Sequence, residues 1–133
     1  MSCPMTVRTL LEGWCDNVPD VTITGLGLDS RCIEPGQAFI AVAGGQQHGM
    51  NHARQAAARG AVIVIHDSLA EVPPLDVPTV AGPGLERRLS NLGARFFHHP
   101  SDQLIVAGVT GTNGKTSTAH FIAQAWQRST GDA

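Results

Sequence analysis

The sequence contains no tyrosine, and aromatic residues make up only 5% of its 133 positions. Stacking platforms for nucleobases are therefore scarce. Charge is sparse as well: charged residues are 15%, and 9 Lys+Arg against 11 Asp+Glu leave a net charge of −2. With a pI of about 6.3 and arginines scattered along the chain, there is no basic footprint for nucleic acid. Long apolar runs are also missing. The longest, Ala38-Phe39-Ile40-Ala41-Val42-Ala43, falls far short of the ~20 residues a membrane-spanning helix needs, so no membrane insertion is expected. Between Met1 and Cys15 no basic stretch precedes an apolar one, and no signal peptide is expected. Cys3, Cys15 and Cys32 are odd in number and show no CxxC spacing. They read as reduced thiols of a cytoplasmic protein.

What is present supports a folded enzyme-like domain. Hydrophobic residues at 42% can build a core, which excludes disorder as the main reading. The length allows one domain, or one domain and part of a second. Lys115 is the one lysine among nine basic residues, and it sits in a glycine-rich loop.

The hydrophobic pattern alternates strands and helices. Val7, Leu10, Leu11 and Trp14 recur at helical spacing, predicting a helix over 6–14. Residues 21–28 predict a strand. Glu34-Pro35-Gly36-Gln37 is a turn, followed by a buried strand over 38–42. A polar loop, 44–49, leads to a helix over 51–59 that Gly60 terminates. Residues 61–65 and 77–81 predict strands, separated by a loop holding Pro73-Pro74. Leu85, Leu89, Leu92 and Phe96 share one face of a helix over 85–99. Leu104 to Val109 predicts a fully buried strand, and a helix follows over 115–128.

This is an α/β fold: a small N-terminal α/β domain with a short mixed sheet over 1–99, then the first strand, loop and helix of a truncated parallel-sheet domain over 100–133. A buried parallel strand needs neighbours and a crossover to the next strand. The chain therefore reads as the N-terminal piece of a longer protein.

Gly108-Val109-Thr110-Gly111-Thr112-Asn113-Gly114-Lys115-Thr116-Ser117 is the sharpest motif. A hydrophobic strand delivers a glycine-rich turn onto a helix N-terminus, where backbone N–H groups and the helix dipole favour phosphate oxygens. Lys115 is placed to bring a mobile cation to the β/γ-phosphates of a nucleotide and Thr116 a hydroxyl to Mg²⁺. Thr112, Ser117 and Thr118 add hydroxyl donors. The spacing departs from the strict phosphate loop, because Val109 stands where the first glycine belongs. The bland alternative is a plain glycine-rich turn with a solvated lysine.

Gly111-Thr112-Asn113-Gly114-Lys115-Thr116 resembles the ATP loop of the Mur ligases and their folylpolyglutamate synthetase relatives. Leu28-Asp29-Ser30-Arg31, Pro35-Gly36-Gln37-Ala38-Phe39, and Gln55-Ala56 with Arg59-Gly60-Ala61 are similar to the UDP-binding domain of MurE-type members. Phe97-His98-His99-Pro100-Ser101-Asp102 fits the same group. The resemblance implies an ATP-dependent ligase of peptidoglycan synthesis, important for the cell wall, cell shape and cell division. It would add meso-diaminopimelate or L-lysine to UDP-N-acetylmuramoyl-L-alanyl-D-glutamate through an acyl phosphate. It implies ATP and Mg²⁺ as cofactors, with Gly111, Thr112, Asn113, Gly114, Lys115, Thr116 and Ser117 holding ATP. Lys115 would be catalytic and Thr116 a metal ligand. Leu28, Ser30, Gly45, Gln46 and Gln47 would bind the UDP-sugar. The 133-residue chain alone is expected to be inactive. His48-Gly49 stands where many relatives have Asp-Gly.

Other readings stay open at the level of sequence. One is another superfamily member, either the D-alanyl-D-alanine-adding ligase or a folylpolyglutamate synthetase. Another is a non-catalytic nucleotide-binding module. A phosphate-loop kinase or GTPase would want further acidic and base-specific motifs. Asp29-Ser30-Arg31 by itself is as readily a strand-ending turn with a local ion pair, and Gln46-Gln47 as readily solvent-exposed loop. His48 and His52 are four apart but read as surface histidines, His98-His99 as helix capping, and Cys32 as a buried thiol.

Overall fold

The computed structural model describes residues 3–43, 49–68 and 70–131. It divides into two compact units, Met1–Pro100 and Ser101–Ala133.

In the first unit, β1 (Met5–Thr6) runs straight into α1 (Val7–Leu10), where the Thr6 hydroxyl caps the helix by accepting from the Thr9 N–H. The predicted strand over 21–28 is in fact two. β2 (Thr22–Ile23) pairs antiparallel with β1, and β3 (Gly25–Gly27) joins a different sheet. β3, β4 (Gln37–Ala41), β5 (Ile63–His66) and β6 (Thr79–Ala81) form a four-stranded, wholly parallel sheet in that order. The antiparallel and parallel pairings expected of one mixed sheet thus lie in separate sheets. The predicted helix over 51–59 begins as a 3₁₀ turn, Gly49–His52, and continues as α2 (Ala53–Ala58). The long helix over 85–99 closes sooner, as α3 (Leu85–Phe96). It ends in two consecutive left-handed residues, His98 and His99 (φ 57° and 51°), whose N–H groups close onto the Arg95 and Ala94 carbonyls.

The parallel sheet is covered on both faces, which is why its central strands read as continuous apolar runs. Alternate residues point to opposite sides. Ala38, Ile40, Ile63, Ile65 and Val80 pack with Val7, Leu10, Leu85, Leu92 and Phe96 on one side. Phe39, Ala41 and Val64 pack with Ile33, Met50, Ala53 and Ala56 on the other. Each of the larger buried side chains contributes about 1.5–3 kcal/mol. Arg95 ties α3 to the end of α1, donating from Nη1 to the carbonyls of Leu10 (2.8 Å) and Glu12 (2.9 Å).

The second unit holds a 3₁₀ turn that begins at Pro100 (Pro100–Gln103), an extended segment, and α4 (Lys115–Thr130). The strand expected over 104–109 is not formed: these residues have no strand assignment, and Leu104, Ile105 and Val106 are exposed. A parallel strand exists only through hydrogen bonds to neighbours, and none of the described residues supplies one here. A groove of about 760 Å³ lies along this segment, lined by Leu104, Ile105, Ile122 and Trp126. These are the side chains that sheet neighbours would cover. Among the described residues, no helix is long and apolar enough to cross a membrane.

Candidate functional site

Two places gather the chemistry. The first is the loop before α4. Gly114 is the N-cap of α4 in the left-handed region (φ 76°), and Gly111 also has a positive φ of 147°. Both conformations favour glycine because a Cβ would crowd the backbone. A glycine cap brings no side chain, so no side-chain hydrogen bond caps α4, and its first turn has no acidic residue. The first-turn N–H groups are thus left for an external acceptor. Thr118 N–H makes the first helical bond, to the Gly114 carbonyl at 2.9 Å. The Lys115 ammonium folds back to donate to the Gly111 carbonyl, which sets the cation beside those free amides. Gly111, Thr112, Asn113, Gly114, Lys115, Thr116 and Ser117 are all exposed. The group offers backbone N–H and side-chain O–H donors and one cation, with no carboxylate in the turn. That donor set suits a polyphosphate and gives a bare cation little to bind. Among the described residues there is no cluster of three or more His, Cys, Asp or Glu side chains able to hold a metal ion.

The second place is a cavity of about 480 Å³ beyond the C-terminal end of β3, lined by Leu28, Asp29, Ser30, Arg31, Phe39, Gly49, His52 and Gln55. This volume is within the usual range for small-molecule sites, about 300–1,000 Å³. Leu28 is 58% exposed and offers an apolar surface, whereas Ser30 is 5% exposed in the wall. The Ser30 hydroxyl donates to Gln55 Oε1 at 2.7 Å. Asp29 and Arg31 form the local ion pair: Arg31 donates from Nε (3.0 Å), Nη2 (2.8 Å) and its backbone N–H (2.9 Å) to the Asp29 carboxylate. Those bonds, the side-chain ones first, hold the Asp29 carboxyl down at about 2. Arg31 is pushed up in turn. Asp29 is therefore a structural anion that shapes the turn and has little capacity left as a proton acceptor.

The structure brings Leu28 and Ser30 together in one cavity. Gly45, Gln46, Gln47 and His48 lie outside the described residues. Four further wall residues, outside the turn at 28–31, were not expected: Phe39, Gly49, His52 and Gln55. His52 had read as a surface histidine and is exposed, and it also lines the cavity. A signal for two of them was present: His52 and Gln55 are three apart, hence on one side of a helix whose Ala53 and Ala56 are buried. Cys32 had read as buried, yet it is exposed and free; it follows the Asp29–Arg31 turn on the surface. The cluster of pocket-lining residues Met50, Asn51, Arg54, Glu71, Val72 and Pro73 forms a separate cavity of about 400 Å³.

Comparison with known proteins gives the family. Residues 22–125 match the sequence profile of the Mur ligase family, catalytic domain. The UDP-N-acetylmuramoyl-L-alanyl-D-glutamate–2,6-diaminopimelate ligase of Xylella fastidiosa is 48% identical over 111 residues, 82% of this chain. The ligase of the same name from Alkalilimnicola ehrlichii is 40% identical over 136 aligned positions, 93% of the chain. This chain spans 22% and 27% of the length of those two relatives, about a quarter. Among solved structures, the D-alanyl-D-alanyl-adding Mur ligase of Acinetobacter baumannii superposes with a TM-score of 0.70 at 27% identity, over 96% of this chain and 29% of that one. A 2,6-diaminopimelate ligase gives a TM-score of 0.66 at 27% identity, over 95% of this chain and 26% of that one.

Proposed function

Because the chain belongs to the Mur ligase family, we propose that it supplies the UDP-sugar domain and the ATP loop of a cytoplasmic amide ligase that adds diaminopimelate to UDP-N-acetylmuramoyl-L-alanyl-D-glutamate. The names and 40–48% identities of its sequence relatives favour this substrate over the D-alanyl-D-alanine and folate alternatives. The observation that carries the reading is the carboxylate-free, uncapped turn at Gly111 to Ser117, with Lys115 folded onto the Gly111 carbonyl.

In this reading residues 1–99 hold the UDP moiety and residues 100–133 begin the ATP domain. The reaction transfers the γ-phosphoryl group of ATP to a substrate carboxylate. The amine of the incoming amino acid attacks the acyl phosphate, forming the amide and releasing phosphate. Phosphoryl transfer calls for positioning and charge neutralisation more than for a protein nucleophile. The free amides of the first turn of α4 hold phosphate oxygens, with Gly111, Thr112, Asn113, Gly114 and Ser117 forming the cradle. Lys115 swings from the Gly111 carbonyl to the β/γ-phosphates, where negative charge builds up during transfer. Mg²⁺ supplies further neutralisation when bound, and the Thr116 hydroxyl is the ligand this chain offers it. At the other site, Leu28 packs on the nucleoside and Ser30 hydrogen-bonds it, and the family resemblance assigns Gly45, Gln46 and Gln47 to the same ligand.

A chimera tests the proposal. These residues replace the corresponding segment of the Pseudomonas aeruginosa relative, which is 46% identical over 108 residues. Phosphate release that depends on UDP-muramoyl-dipeptide and diaminopimelate is the expected result. A folded chimera that binds ATP but releases no phosphate with either diaminopimelate or L-lysine would refute it.

A further inference from the structure

We propose that the second cavity of the first unit, which holds Arg54 and Glu71, binds a zwitterionic α-amino acid with an apolar side chain. The proposal is independent of the nucleotide reading, because this cavity and the one around Ser30 share no lining residue.

On the helical segment that leads into α2, residues three apart share a side. His52 and Gln55 line the Ser30 cavity, whereas Asn51 and Arg54 line the second one, of about 400 Å³. That volume is in the ordinary range for a small-molecule site. The rest of its wall comes from the loop after β5, as Glu71, Val72 and Pro73. On either side of these three, Ala70, Leu75 and Val77 pack against the core cluster that contains Met50 and Ala53. Pro73 and Pro74 stiffen the same loop. Helix and loop are thus anchored to one core, and Met50, 4% exposed, lines the cavity from within it.

Arg54 brings a cation to this cavity and Glu71 an anion. Among the described residues neither side chain has an ionic or hydrogen-bonding partner, and they do not pair with each other. Such a cavity disfavours simple ions, because Glu71 opposes a bare anion or a phosphate and Arg54 opposes a bare cation. A ligand that carries both charges on one carbon satisfies both residues. The carboxylate of an α-amino acid accepts from the Arg54 guanidinium, whose fork matches it in two parallel bonds. The Asn51 side-chain amide is a further donor, and the ligand's ammonium donates to Glu71. An apolar ligand side chain then covers Val72, which is 46% exposed, and the neighbouring Pro73. Arg54 and Glu71 are both exposed, so either can be exchanged without opening the core.

The test titrates the 133-residue chain with L-leucine at constant ionic strength, reading amide NMR shifts of residues 50–54 and 70–72. Saturable shifts in both segments are expected. N-acetyl-L-leucine lacks the ammonium and L-leucinamide lacks the carboxylate; each should bind about tenfold more weakly than leucine. Arg54→Gln should weaken leucine about tenfold and leave it level with leucinamide. Glu71→Gln should do the same and leave leucine level with the N-acetyl derivative. Absence of leucine shifts from both segments would overturn the site. Either capped derivative binding the unsubstituted chain as tightly as leucine would reduce the site to a simple ion contact and overturn the zwitterion. Undiminished leucine affinity in both variants would overturn the role of Arg54 and Glu71.

Discussion

Gly49 rests against Ala41 so closely that a Cβ on Gly49 would lie 2.8 Å from the Ala41 Cα, and equally close to the backbone N and O of Val42. The Gly49 N–H also donates to the Val42 carbonyl at 2.7 Å. This contact brings the 3₁₀ turn before α2 down onto the end of β4, and Gly49 lines the cavity that holds Ser30. Gly49→Ala has only backbone to push against. It should destabilise the first unit by about 1–3 kcal/mol, the usual cost of overpacking. Urea denaturation followed by Trp14 fluorescence would measure it, and an unchanged midpoint would contradict the close approach.

Ser30→Ala removes a single neutral hydrogen bond to the nucleotide. UDP-sugar affinity should fall by about 0.5–1.5 kcal/mol. Calorimetry with UDP-N-acetylmuramic acid measures the change. Binding that is undiminished would place the nucleotide elsewhere.

The Asp29 carboxyl titrates at about 2 in the folded chain, below the ordinary 3.8, because Arg31 hydrogen-bonds its ionised form. A depressed carboxylate stabilises the fold above its unfolded value, and the contribution is lost as pH falls through the folded one. The turn at 29–31 should therefore hold at neutral pH and loosen between about pH 4 and pH 2. The carboxyl ¹³C shift of Asp29 should show a midpoint near 2. In Arg31→Ala it should move up toward 3.8. No movement would mean that Arg31 is not the cause.

Lys115→Ala should cost about 2–3 kcal/mol of transition-state stabilisation in the chimera, about 30- to 160-fold in rate. UDP-sugar binding should be unaffected, because Ser30 and Lys115 belong to different units. Equal losses in ATP turnover and UDP-sugar binding would make the lysine structural.

The 133-residue chain by itself should not turn over ATP, since it spans only 22–27% of the length of its ligase relatives. Phosphate release stimulated by UDP-muramoyl-dipeptide and diaminopimelate from this chain alone would contradict that expectation.

The glycine-rich loop before α4 was legible in the sequence because its logic is local. Gly111, Gly114 and Lys115 lie within one turn, and a glycine cap followed by a lysine implies free amides wherever the helix packs. The central strands were legible for a related reason: Phe39 to Ala41 and Ile63 to Ile65 are apolar at every position, which only a sheet covered on both faces accommodates. Tertiary structure decided the rest. Nothing in the run from Val21 to Leu28 marks Thr24 as the point where the chain leaves one sheet for another; that depends on β1 and β4 being there to pair with. Leu104 to Val109 shows the converse. Its composition is that of a buried strand, but a strand is a relation between two backbones, and propensity cannot stand in for the missing partner. The bond between Ser30 and Gln55 spans 25 residues. It exists because α2 packs Ala53 and Ala56 against the sheet and so turns Gln55 toward the end of β3, a direction that only the folded packing sets.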